Sequence, residues 1–300
     1  MLHRLRSLWK KPDSVSLGIV LSNQSLTWAL IRRGVPDILL SSGAVTLNSR
    51  ELSEVLDELT KEQHWLQINT HLVLPVGTYQ MLLTEAPAVG ENELASALRW
   101  RISDMLSYDA AEAALDAFAL PPDAYRGRQS MAYVAACPKP LIHSYEQSFS
   151  KLPLQLQRIT IAEVAGLHLG QRLVNEQESW ALVFISVQDL HICLMQNQQL
   201  YLARQAPLGW ARLRSEADYD PLILEIQRSL DYYDSQIGKG TIRQIVISPH
   251  LKAAALADYL DQNLTPSVKV MPLPASLEGN LSGAAADELI AIGAAMGPVA

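Results

Sequence analysis

The sequence predicts an α/β protein built from two copies of one βββαβα plan, with a small α/β subdomain inserted in the first copy. Three observations carry this. Two β-hairpins of the same design stand in opposite halves of the chain, at residues 15–31 and 181–195. Each is followed by a third strand, an amphipathic helix and a further apolar strand. Between the halves, the pattern changes to strand–helix–strand–strand–helix.

The first hairpin runs over residues 15–21, turns at Ser22-Asn23-Gln24 and returns over 25–31, with the β-branched and apolar content of half-buried strands. A third strand is expected over 37–40 and 43–45, entered by the Arg33-Gly34 turn. From about Ser49, Leu52, Val55, Leu56 and Leu59 recur at helical spacing, and residues 71–75 form a short apolar strand. In the insert, Ala86-Pro87 breaks the chain. Leu94, Leu98, Ile102, Met105 and Leu106 then predict one helix over 91–106 with these side chains inward. Residues 116–120 and 131–136 read as a strand pair around the loop 121–128, and a helix covers about 139–150.

The second half repeats the order. Its hairpin (181–187, turn Gln188-Asp189, 191–195) leads to a strand over 200–204. A helix covers 219–237, with Leu222, Ile223, Ile226, Leu230 and Tyr233 on one face. A strand at 242–247, a helix near 251–260, a strand at 268–270 and a closing helix near 287–296 complete it. This duplicated plan is that of the ribonuclease-H-like, actin-like ATPase fold. The expected units are a basic amphipathic leader over 1–13, a first ribonuclease-H-like domain over 14–77 plus 155–177, the inserted subdomain over 78–154, and a second domain over 178–300. The last helix of that second domain is available to pack back on the first.

Composition narrows the function. At 300 residues, 49% hydrophobic and 18% charged, the chain has ample material for large cores. A net charge of −7 argues against sequence-independent nucleic-acid binding, which needs a basic surface. Cys137 and Cys193 lie in apolar runs and read as buried thiols of a reducing compartment. No apolar run approaches the roughly 20 residues that span a bilayer. Leu2, Leu5, Leu8 and Trp9 share a helical face among Arg4, Arg6, Lys10 and Lys11. Residues 1–11 thus read either as a solvated leader or as a peripheral contact with an anionic membrane surface.

Catalytic signals are missing. A phosphate-cradling turn uses glycine, so that backbone N–H groups can approach, and a nearby acid to organise a metal ion; neither hairpin turn has the pair. Gly238-Lys239-Gly240-Thr241 lacks P-loop spacing and leads from a helix into a strand, so it is a turn. The seven histidines form no H-x-x-x-H or H-E-x-x-H pattern, and no metal site is expected. There is no G-x-S-x-G elbow. Asp104, Asp109, Glu91 and Glu93 read as solvated charges or helix-dipole partners.

Several blocks together resemble one family. Leu74-Pro75 through Glu85-Ala86-Pro87, Glu93-Leu94, residues 97–100, Met105-Leu106-Ser107-Tyr108 and Leu115-Asp116-Ala117-Phe118 are similar to the PilM family of type IV pilus assembly proteins. Residues 224–233 (LEIQRSLDYY) resemble that family's long helix, and the likeness runs from about Val15 to Gly297. Length and weak nucleotide motifs look most like its MshI branch, the PilM-like components of MSHA (mannose-sensitive haemagglutinin) pilus systems. The departures are informative. Val20 and Ser22 stand where the family's first phosphate turn has an acidic-x-Gly pattern, and Ile185 and Val187 where its second has Asp-x-Gly. Ser248-Pro249-His250 replaces the glycine-rich adenosine turn, Thr160 replaces an acidic residue, and only residues 210–218 stand where a lid subdomain belongs.

The resemblance implies a non-catalytic cytoplasmic adaptor, peripheral to the inner membrane, with no cofactor. It also implies a groove between the first domain and the insert that takes up the N-terminal cytoplasmic segment of a PilN-like bitopic membrane subunit. Leu82, Leu83, Leu98, Trp100 and Met105 are the expected walls of that groove, with Glu85 as charge partner. Trp100 faces away from Leu94, Leu98 and Ile102 and is the better exposed contact. Two alternatives stand beside this: a PilM-like protein that binds ATP and Mg²⁺ through other groups, and a GspL-like secretion scaffold.

Overall fold

A computed structural model describes residues 15–125, 129–173, 179–237, 241–278, 281 and 286–298. The leader over 1–13 and the Gly238–Gly240 part of the glycine-lysine turn lie outside the described residues. In the first half, β1 (Val15–Leu21), β2 (Ser25–Arg32) and β3 (Ile38–Thr46) meander antiparallel, followed by α1 (Leu52–Glu62) and β4 (Ile68–Val73). The insert carries β5 (Gln80–Glu85), α2 (Glu91–Leu98), β6 (Ala113–Ala119), β7 (Met131–Pro138) and α3 (Lys139–Phe149). Then β8 (Leu154–Thr160) and α4 (Ala162–Leu173) lead to the second half.

There β9 (Ser179–Ile185), β10 (Leu190–Gln196) and β11 (Gln199–Ala206) repeat the meander. They are followed by α5 (Asp220–Tyr232), β12 (Gln244–Ile247), α6 (Ala253–Asn263), β13 (Ser267–Val270), the short α7 (Ala275–Glu278) and α8 (Ala286–Met296). The two main sheets have matching orders, β3-β2-β1-β4-β8 and β11-β10-β9-β12-β13. In each, the meander is antiparallel and the inner strand pairs in parallel with the strand after the helix, β1 with β4 and β9 with β12. The insert is an antiparallel sheet, β5-β7-β6. The duplication is therefore one of topology as well as of element order.

Helices α4 and α8 pack together between the two main sheets, in a shared core with Ile31 and Val73 on one side and Leu182, Phe184 and Met195 on the other. Helix α8 buries nearly every residue, as its all-round apolar sequence requires. It fits because its contacts are backbone to backbone: a Cβ on Gly18 of β1 would lie 1.9 Å from the Ala291 carbonyl oxygen, and one on Gly293 would lie 2.1 Å from that of Ala165. The last helix of the second half is thus a core helix of the first sheet. On that sheet's other face, Trp28 meets Trp65 edge to face at 5.1 Å beside α1 and α3.

Two differences from the sequence reading have local causes. The expected helix over 91–106 stops at Leu98, because the following turns tighten to i→i+3 bonds and end in a short 3₁₀ segment at Ser103–Met105. Ser96 Oγ donates to the Glu93 carbonyl and Ser103 Oγ to that of Trp100, at 2.8 Å each, a local alternative to helix bonding. Arg99 donates to the carbonyl oxygens of Ala110 and Ala113, tying the chain across the turn. Ile102 stays buried, but Met105 becomes 46% exposed rather than inward. The second difference is that α5 runs on into a π-helical turn, Tyr233–Ile237, which buries Tyr233 and lets its hydroxyl donate to Gln196 Oε1. Between β11 and α5 only the 3₁₀ turn Glu216–Asp218 is present, held by a capping box at Ser215. No separate subdomain is built between β11 and α5.

Candidate functional site: a cleft and a strand-edged groove

The two hairpin turns face one another across a cleft of about 550 Å³ between the halves, lined by Ser22, Gln24, Ser186, Gln188, Asp189 and Asp287 among others. Several of their backbone donors are already engaged. Ser22 N donates to the Ser25 carbonyl, and Gln24 N and Ser25 N donate to Ser22 Oγ. In the second turn Ser186 N bonds the Asp189 carbonyl and Asp189 N bonds Ser186 Oγ. Residues 209–211 lie over that turn. Trp210 N and Ala211 N donate to the carbonyls of Ser186 and Val187, and a Cβ on Gly209 would come within 2.5 Å of the Val187–Gln188 backbone.

Ser248 and His250, in the turn after β12, are engaged as well. Ser248 is fully buried and its Oγ accepts from Ile185 N, while His250 stacks on Trp210 beside Pro249. Val20 and Ile185 are buried, and Val187 is exposed at the lip. No Lys or Arg is among the described residues lining the cleft, and its charged members are Asp189, His191 and Asp287. The cleft therefore offers a phosphate few free backbone donors from Ser22, Gln24 and Ser25, and His191 as its one cationic group among the described residues.

Beneath the cleft lies a polar cluster that sequence reading missed. Glu163 of α4, 1% exposed, approaches His191 of β10, 3% exposed, with Oε1 3.5 Å from Nδ1. Tyr79 Oη donates to Glu163 Oε2 at 2.8 Å, and Gln205 of β11 donates to both Tyr79 Oη and Glu163 Oε1. His191 and Gln205 are cross-strand partners, which puts both side chains on one face. Burial opposes both charges of the pair, yet their mutual contact outweighs it, holding the Glu163 carboxyl below its ordinary range and the His191 imidazole above its own. Burial pushes Asp287 up to about 6. The only signal in the sequence is a lone acid in a small-residue helix (AEVAGLHLG) and a lone histidine in an apolar strand (LHICLM). Among the described residues no group of three or more His, Cys, Asp and Glu side chains is arranged to hold a metal ion.

A second cavity, of about 390 Å³, opens between the insert and the first sheet. Its two sides are β6 and β8, each the terminal strand of its sheet, so each offers one edge without a strand partner. Leu115, Phe118, Ile159 and Ile161 make it apolar; Asp116 and Arg158 are its charges.

None of the six residues expected to wall this groove lines it. The reason is placement: β5 lies on the far side of β7 from β6, and α2 packs across the insert sheet over β6 and β7, with Leu94 and Leu98 in the insert's own core. Leu82 and Leu98 pack in the insert's own core, and Leu83 packs against the second half. Glu85 is engaged by Arg101 at 3.2 Å and by Gln129. Trp100, 84% exposed, and Met105 stand on the outer surface.

Neither a scan of protein-family models nor a search of curated proteins finds a match to the sequence. Solved structures do match. A chain of a PilM–PilN type IV pilus biogenesis complex superposes with a TM-score of 0.75 at 17% identity, over 95% of this chain and 98% of that one. The cytoplasmic domain of EpsL, an inner-membrane component of the Vibrio cholerae type II secretion system, gives 0.55 at 13% identity, over 94% of each chain. A Bacteroides thetaiotaomicron protein with an actin-like ATPase fold gives 0.52 at 10% identity, over 86% and 91%. At these identities the likeness is one of fold, and the chain has the duplicated ribonuclease-H-like, actin-like ATPase fold with an inserted α/β subdomain.

Proposed function

We propose that this protein is a non-catalytic cytoplasmic adaptor of a type IV pilus inner-membrane assembly platform, of the MSHA type, most like MshI. It binds the N-terminal cytoplasmic segment of a PilN-like membrane subunit. The observation that carries the reading is the groove between β6 and β8, two open strand edges around apolar walls. An extended segment entering there gains main-chain hydrogen bonds from an edge and apolar contacts from alternate side chains. The fold likeness to a chain of a PilM–PilN complex supports the partner's class. The engaged donors and acidic character of the cleft support the non-catalytic part.

The test is affinity for a synthetic peptide of the partner's N-terminal segment, measured by calorimetry. Leu115→Glu and Ile159→Glu, at the groove, should abolish binding, and Trp100→Ala, outside it, should leave it unchanged. Loss with Trp100→Ala and retention with the groove variants would move the site to the α2 surface. Thermal shift with Mg-ATP should be flat; a saturating rise of several degrees would show an occupied nucleotide site.

A further inference from the structure

The groove and the cleft are joined by a line of side chains. Tyr79 lines the groove, His191 lines the cleft, and Glu163 touches both. The backbone repeats the arrangement: on α4, Ala162 faces the cleft, Glu163 is buried, and Val164 faces the groove. Tyr79 itself sits on the connection from β4 to β5, where the chain leaves the first sheet for the insert.

We propose that Glu163 is a positioning residue for the groove: it holds Tyr79 as a groove wall while His191 neutralises it from the cleft side, so the charge of His191 sets the groove's affinity. This rests on the groove reading above only for the identity of the peptide. A buried carboxylate requires a compensating charge. The groups facing His191 are Glu163 from α4, Asp189 from the turn before β10 and Asp287 from α8, all carboxyls. Those facing Glu163 are His191, Tyr79 and, farther away, Cys193 and Tyr133. Imidazolium is thus the one positive charge in the cluster. When His191 gives up its proton to solvent as pH rises, Glu163 is left a buried carboxylate with no counter-charge. That uncompensated charge draws in water and loosens the arrangement in which Glu163 accepts from both Tyr79 and Gln205.

The direction follows. His191 titrates above its ordinary 6.5, so the groove is well formed at pH 6 and loosens as pH rises through the imidazole's folded value. The experiment compares wild type with Glu163→Gln, His191→Gln and Tyr79→Phe at pH 6 and 8.5. Tyr79→Phe removes one hydroxyl and is the variant kept if the buried substitutions fail to fold. Two readouts are used: affinity for the partner peptide, and hydrogen exchange of the β6 and β8 amides corrected for intrinsic rate. In wild type both should weaken about fivefold or more between the two pH values. The variants should show no such change, and His191→Gln should hold the weak, high-pH value throughout. A flat wild-type exchange profile, or a Glu163→Gln or Tyr79→Phe profile identical to wild type, overturns the proposal. Exchange that follows pH while the peptide binds at neither pH supports the coupling and overturns the adaptor reading instead.

Discussion

The indole of Trp210 lies flat on the imidazole of His250, ring centroids 3.9 Å apart and planes 13° apart. The stack fastens the loop that covers the second hairpin turn to the turn that follows β12. His250 favours the neutral form, through burial and then the nearby Lys252. Trp210→Ala should cost about 1–2 kcal/mol in urea unfolding. It should also speed exchange of the Trp210 and Ala211 amides. Unchanged exchange there would mean the loop is held by Gly209 alone.

Backbone contact around α8 makes a sharper prediction. Gly18→Ala and Gly293→Ala each drive a methyl into a carbonyl, at 1.9 Å and 2.1 Å. Each should destabilise the fold by about 3 kcal/mol or more, because neither neighbour is a side chain that can swing away. Gly90→Ala, which meets nothing within 4 Å, should cost less than about 1 kcal/mol. Equal denaturation midpoints for Gly90→Ala and Gly293→Ala would contradict the packing of α8 on α4.

Asp287 opens on the cleft with its carboxyl raised to about 6 from an ordinary 3.8, burial being the main cause. The folded chain therefore holds this proton more tightly than the unfolded one. The stability it contributes is full below pH 3.8 and is lost as pH rises through 6. Asp287→Asn should be more stable than wild type at pH 8 by about 1–2 kcal/mol and nearly equal to it at pH 3.5. A variant less stable at pH 8 would indicate a partner for the carboxylate.

His71 and His168 act oppositely. Burial, then Arg158, lowers each to about 4, so both imidazoles are neutral in the folded chain. As pH falls from 6.5 to 4, the unfolded chain takes up protons that the folded chain resists, and stability drops. His71→Gln should flatten that acid limb by about 1–2 kcal/mol relative to wild type, read as urea midpoints at pH 7 and 4.5. A limb of unchanged depth would assign the loss to other groups.

Most of the architecture was legible because its signals are local. The period-2 hairpins at 15–31 and 181–195, the Leu52–Leu59 stripe and the apolar closing helix all formed within a few residues of expectation. Which residues stand in the hairpin turns, Ser22 and Val187 among them, was legible as well, being a matter of residue type. The groove walls were not. Leu82 and Met105 do not line the cavity because β6 borders it, whereas β5 lies beyond β7 and Met105 is on the surface after α2. Met105 was further misread because serine hydroxyls at Ser96 and Ser103 end the helix early.

The sequence by itself determined the kinds of elements, their duplicated order and the absence of glycine from the hairpin turns, since periodicity, turn chemistry and side-chain type act over a few neighbouring residues. Only the tertiary structure decided which strand edges stay open, and that Tyr79, Glu163, His191 and Gln205 meet. Residues 126 positions apart become partners when sheets pair and helices pack, and a buried charge finds its counter-charge only once the layers that exclude water have closed around it.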